Sequence, residues 1–97
     1  MTSRRRLKKE IDYVVSDLII DCFTYTSLYE KSNDDAALLI VQDTLNLRND
    51  LRNKANHPEQ KETSVSIKSY YDDIAKALLE GVDAGYGKLG KMVNAEE

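Results

Sequence analysis

The sequence predicts an all-α protein: an elongated up-down-up three-helix bundle that forms one domain over residues 1–97. Apolar residues recur every three or four positions along most of the chain, and only two short polar breaks interrupt that period. One proline and four glycines leave few sites at which a helix would be broken. With 41% hydrophobic and 32% charged residues, the chain is too apolar to be disordered.

A first helix is predicted over residues 3–32. Its core face is formed by apolar residues in steps of three and four: Leu7, Ile11, Val14, Leu18, Cys22, Tyr25 and Tyr29. Three neighbours widen that face until it can contact two other helices: Val15, Ile19 and Phe23. Tyr13 and Ile20 lie seven residues apart on the far side, where the core of one subunit does not need them.

A second helix is predicted over residues 34–55. Ser32 or Asn33 can cap it, and Asp34 and Asp35 lie in its first turn, where the helix dipole favours negative charge. Its core face is predicted to contain Ala37, Ile40, Val41, Thr44, Leu47, Leu51 and Ala55. Leu38 and Leu45 fall on a second face, again seven residues apart.

A third helix is predicted over residues 64–93, after Pro58 has ended the second. Thr63 or Ser64 can cap it, and its core face is predicted to contain Ile67, Tyr71, Ile74, Leu78, Val82, Leu89 and Met92. Gly85 to Gly90 spells G-x-G-x-x-G without the preceding strand that a nucleotide site needs. Small residues instead form one side of this helix: Ala77, Gly81, Ala84 and Gly85. They predict that another helix packs closely here, or that the third helix loosens past Gly85.

The apolar residues outside the core predict a homodimer. Four of them are expected to form its interface: Tyr13, Ile20, Leu38 and Leu45. The leading function is therefore a small non-enzymatic interaction or adaptor protein that works through self-association or a protein partner.

The end of the second helix supplies an alternative function. Arg52, Asn53 and His57 form the pattern R-N-x-x-x-H, which resembles the active-site motif of HEPN-type metal-independent ribonucleases. That resemblance implies cleavage of RNA by arginine and histidine residues of two subunits that converge across a dimer interface. The simpler interpretation is that His57 caps the helix and Arg52 lies at its polar edge.

The charge and residue content exclude several classes of site. A net charge of −3 argues against nucleic acid as the default partner, although the basic run from Arg4 to Lys9 leaves that alternative open. No metal site or cofactor is predicted, because a single cysteine and a single histidine supply too few ligands. Three aspartates within residues 11–22 rule out a signal or membrane segment there, and a cytoplasmic location is expected.

The chain as a whole resembles a set of short, functionally uncharacterised helical proteins from Bacteroides and related Bacteroidetes. The residues that carry the resemblance are spread over most of the chain: Arg5-Arg6-Leu7-Lys8-Lys9, Ile11, Tyr13, Ser16-Asp17-Leu18-Ile19, Cys22, Asn49-Asp50, His57-Pro58-Glu59 and Tyr71. The resemblance implies an all-helical bundle and assigns no activity.

Overall fold

A computed structural model describes residues 4–29, 32–57 and 64–96, apart from the side chains of residues 64–66 and 96. Within these ranges the chain forms three helices and no strand: α1 (Arg4–Leu28), α2 (Asp34–Asn56) and α3 (Ser64–Glu96). Each helix packs against both others, so the predicted three-helix bundle is confirmed. The bundle is elongated, measuring 53 × 18 × 16 Å.

The core is a single apolar cluster along the axis of the bundle. Every residue predicted for the three core faces is buried or packs against this cluster, with the exception of Phe23. Thr44 is the one polar residue buried among the described residues, and its hydroxyl donates a hydrogen bond of 2.6 Å to the carbonyl of Ile40. Hydrophobic burial along three amphipathic helices therefore holds the fold together.

The end of α1 differs from the prediction. The helix stops at Leu28, four residues before the expected end at residue 32. The hydroxyl of Tyr25 accepts a hydrogen bond of 2.8 Å from the backbone nitrogen of Asn33, which ties the start of α2 back to the last turn of α1. A chain that must reverse direction to make this contact cannot remain helical through residue 32.

The start of α2 agrees with the sequence. The side chain of Asn33 accepts a hydrogen bond of 3.1 Å from the backbone nitrogen of Ala36, so Asn33 is the cap. At the other end of α2, the backbone nitrogen of His57 donates to the carbonyls of Asn53 and Lys54. Pro58 and the cap predicted at Thr63 lie outside the described residues.

Close packing at two glycines holds α3 against its neighbours. A Cβ atom placed on Gly81 would lie 2.5 Å from Leu47 Cδ2, and one placed on Gly85 would lie 2.6 Å from Leu18 Cδ2. Both distances are too short for a real Cβ, so only glycine fits without a rearrangement. The close-packing interpretation is confirmed, and α3 continues past Gly85 to Glu96 without loosening.

Candidate functional site

Three of the four predicted interface residues lie on the surface. Tyr13, Ile20 and Leu38 are 72%, 58% and 54% exposed, as expected of residues outside the core. Leu45 differs, because it is partly buried and packs against the core cluster. It follows Val41 by one helical turn and therefore points along the seam with α1 rather than away from it.

Phe23 is the residue whose placement the sequence analysis missed. The sequence predicts Phe23 in the widened core face of α1, yet its side chain is 56% exposed. Its ring and Leu38 line the same surface groove of about 240 Å³ between α1 and α2, with Cys22 and Val41 at the base. Because Phe23 follows Ile20 by three residues on α1, the two side chains are neighbours on the helix surface. Ile20, Phe23 and Leu38 are called here the apolar patch.

The two halves of the antiparallel α1/α2 pair carry net charges of opposite sign. Residues 4–16 and 45–56 adjoin each other because the two helices are antiparallel, and together they carry eight basic and three acidic side chains, a net charge of +5. Residues 17–28 and 34–44 carry five acidic side chains and no basic one, a net charge of −5. These halves are called the basic end and the acidic end; the net charge of −3 for the whole chain conceals them.

A groove opens at the basic end between the start of α1 and the last turns of α2. It has a volume of about 560 Å³ and is lined by five basic side chains and one carboxylate: Arg4, Arg5, Lys8, Lys9, Arg52 and Asp12. A second groove of about 390 Å³ continues from it along the bundle and shares Asp12 and Arg52 with the first. The first of these is called the basic groove.

The arginine of the R-N-x-x-x-H pattern is held by an ion pair. Arg52 Nη1 bridges to a carboxylate oxygen of Asp12 on α1, and both side chains are partly exposed. His57 follows the last helical residue of α2 and makes the C-cap. Arg52 and His57 are five residues apart, about 140° around a helix, so one subunit presents them in different directions. Asn53 is exposed between them.

A further groove of about 440 Å³ lies between α1 and α3, where three tyrosines line it together with Leu89 and the exposed Leu28. The tyrosines are Tyr25, Tyr29 and Tyr86. The rings of Tyr25 and Tyr29 lie 5.5 Å apart in a tilted arrangement. Burial raises the pKa of the Tyr86 hydroxyl, and the nearby charge of Asp21, which also accepts a hydrogen bond from it, raises it further. Burial, followed by the charge of Asp21, likewise raises the pKa of the Cys22 thiol.

Comparison with protein-family models, with curated proteins and with solved structures finds no match for this chain. Among the described residues, no group of three or more histidine, cysteine or acidic side chains is arranged to hold a metal ion. None of the helices α1 to α3, as far as the structure describes them, is long and apolar enough to cross a membrane.

Proposed function

We propose that this protein is a small non-enzymatic interaction protein that works by self-association, as an antiparallel homodimer formed through the α1/α2 face. The observation that carries this proposal is the apolar patch, which lies within the acidic end of two helices whose other end is basic. A second copy, related by a two-fold axis perpendicular to the helices, places its acidic end against the basic end of the first copy. The same face thus complements itself in charge, and the apolar patch adds hydrophobic surface to the contact.

The size of the face fits this arrangement. α1 and α2 are each about 35 Å long at 1.5 Å per residue, and the bundle is 18 Å wide. Their face therefore covers a flat area of about 630 Å², of the same order as the area of about 800 Å² per partner that a stable interface buries. The apolar patch supplies exposed hydrophobic surface to this interface. Leu45, which the sequence predicts in the interface, can contribute only its exposed part, since the core already covers the rest.

The weight-average mass in solution, measured by sedimentation equilibrium, tests the proposal. Ile20→Glu should shift the protein from dimer to monomer without unfolding it, because the side chain is 58% exposed in the protomer. Burying the exposed part of isoleucine is worth roughly 1–2 kcal/mol, and an isologous interface contains the residue twice. The dimer dissociation constant should therefore rise at least about 30-fold, and more once the cost of a buried charge is added.

Leu79→Glu is the matched control. Leu79 is 55% exposed and lies on α3, outside the α1/α2 face, so the variant carries the same new charge and should remain a dimer. Raising the salt concentration should weaken the wild-type dimer, because salt screens the attraction between the two ends. A wild-type protein that sediments as a monomer, or an Ile20→Glu variant that sediments as a dimer, contradicts the proposal.

A further inference from the structure

The basic groove holds cations that the fold does not use. Arg52 is paired with Asp12, and Arg4 Nε donates a hydrogen bond of 3.4 Å to the hydroxyl of Tyr71. Within the described part of the chain, Arg5, Lys8 and Lys9 have no carboxylate within 4 Å of their charged nitrogens. A concave surface with several uncompensated cations concentrates positive potential and attracts an anionic ligand.

The basic side chains of the groove are spread along a line and are not clustered at one point. The basic groove and its continuation run along α1 from Arg4 to Ser16, a distance of about 18 Å at 1.5 Å per residue. Arg48 lies at the far part of this line, on α2. One phosphate or carboxylate would occupy only a fraction of that length, since phosphates in a nucleic acid strand follow one another every few ångströms. The length therefore favours a polyanion.

An exposed aromatic ring lies one turn of α1 beyond Lys9, which lines the basic groove. Arg5, Lys9 and Tyr13 are spaced by four residues on α1, so they form a stripe on one side of the helix. All three are exposed, and Tyr13 is 72% exposed. Cations that follow a backbone, together with an aromatic ring on which a base can stack, are the features by which proteins bind single-stranded nucleic acids.

We propose that the basic groove binds the backbone of a single-stranded nucleic acid and that Tyr13 stacks on one of its bases. An anionic membrane fits this surface less well, because a flat bilayer does not enter a groove between two helices. The groove belongs to one protomer, so the proposal does not depend on the proposed dimer. A second copy whose acidic end lies over the groove competes with the strand for the same cations.

Fluorescence anisotropy with a labelled oligodeoxythymidylate of about 15 nucleotides tests the proposal. A DNA probe lacks the 2′-hydroxyl that ribonucleases use, so binding is measured without cleavage. Contacts from Arg5, Lys8 and Lys9 predict a slope of about −2 for log affinity against log salt concentration. Affinity should then fall about 20-fold between roughly 50 and 200 mM salt. The Ile20→Glu protein is measured in parallel, because loss of the second copy removes its competition.

Two variants locate the binding surface. The double variant Arg5→Gln/Lys9→Gln should reduce the magnitude of the salt slope by about 1.4, since each phosphate contact contributes about 0.7. Lys76→Gln/Lys91→Gln changes the net charge equally at exposed positions of α3 that do not line the groove, and it should leave the slope unchanged. Tyr13→Ala should weaken binding about tenfold through lost stacking, whereas Tyr13→Phe should bind like the wild type.

Three results would overturn the inference. The first is no binding at low salt by either the wild-type or the Ile20→Glu protein. The second is an equal loss in the two charge variants, which would mean that net charge alone drives binding. The third is binding to vesicles of phosphatidylserine and phosphatidylcholine by a protein that leaves the oligonucleotide free.

Discussion

Substituting alanine for a glycine of α3 should lower the free energy of unfolding where the new methyl group meets a packed side chain, and raise it where the methyl group meets none. At Gly85 the new methyl group would lie 2.6 Å from Leu18 Cδ2, and Leu18 is fully buried in the core. Overpacking of this kind costs about 1–3 kcal/mol, against a gain of about 1 kcal/mol in helix propensity. We therefore expect Gly85→Ala to lower the free energy of unfolding by about 1 kcal/mol.

Gly87→Ala is the matched control on the same helix. A methyl group at Gly87 meets no atom within 4 Å, so only the propensity gain of about 1 kcal/mol remains. The two variants should differ by about 2 kcal/mol, which corresponds to about 8–16 °C in Tm for a domain of this size. Gly81→Ala should fall between them, because the side chain it meets, Leu47, is only partly buried and lines an open groove.

Urea denaturation followed by far-UV circular dichroism measures these differences, and all three variants should share one m-value. The reasoning is refuted if Gly85→Ala is as stable as Gly87→Ala. That result would mean that Leu18 and its neighbours repack at no cost, and that the contact between α1 and α3 is looser than the distances indicate. A variant that is stabilised and also shows a changed m-value would instead report an effect on the unfolded chain.

Three further predictions concern titratable groups. The raised pKa of Cys22 predicts slow alkylation at neutral pH, because the thiolate is the reactive form; urea should speed the reaction, and equal rates in folded and unfolded protein would contradict the burial. Tyr86 binds its proton more tightly in the folded state, so its contribution to stability is complete below pH 10.0 and is lost as pH rises above that value. Tyr86→Phe should flatten this loss in alkaline denaturation curves, and an unchanged curve would exclude Tyr86 as its source. The ribonuclease alternative predicts RNA cleavage without added metal that His57→Ala abolishes; cleavage that persists in this variant refutes it.

The ribonuclease-like motif shows what a short sequence pattern can and cannot predict. The sequence placed Arg52 and His57 near the end of the second helix, and both are found there. It did not predict the ion pair between Arg52 and Asp12, because the two residues are 40 positions apart and only the antiparallel packing of α1 and α2 brings them together. The pattern locates residues along a helix, whereas their partners depend on the neighbouring helix.

The sequence by itself determined the three helices, a cap at Ser32 or Asn33 and nearly all of the core. These features depend on local periodicity and on single residues, which act the same way wherever the helix lies. Tertiary structure decided the rest. It ended α1 at Leu28 through the contact between Tyr25 and Asn33, because that hydrogen bond joins two different elements of the fold.

Tertiary structure also decided which edge of each apolar face is covered. Phe23 and Leu45 both lie beside a core stripe, yet Phe23 is exposed at the rim of the α1/α2 groove and Leu45 is packed against the core. Periodicity gives the angle of a side chain around its own axis and does not give the position of the neighbouring helix. For the same reason the net charge of −3 did not reveal a basic end of +5, which exists only because the start of α1 and the end of α2 lie side by side.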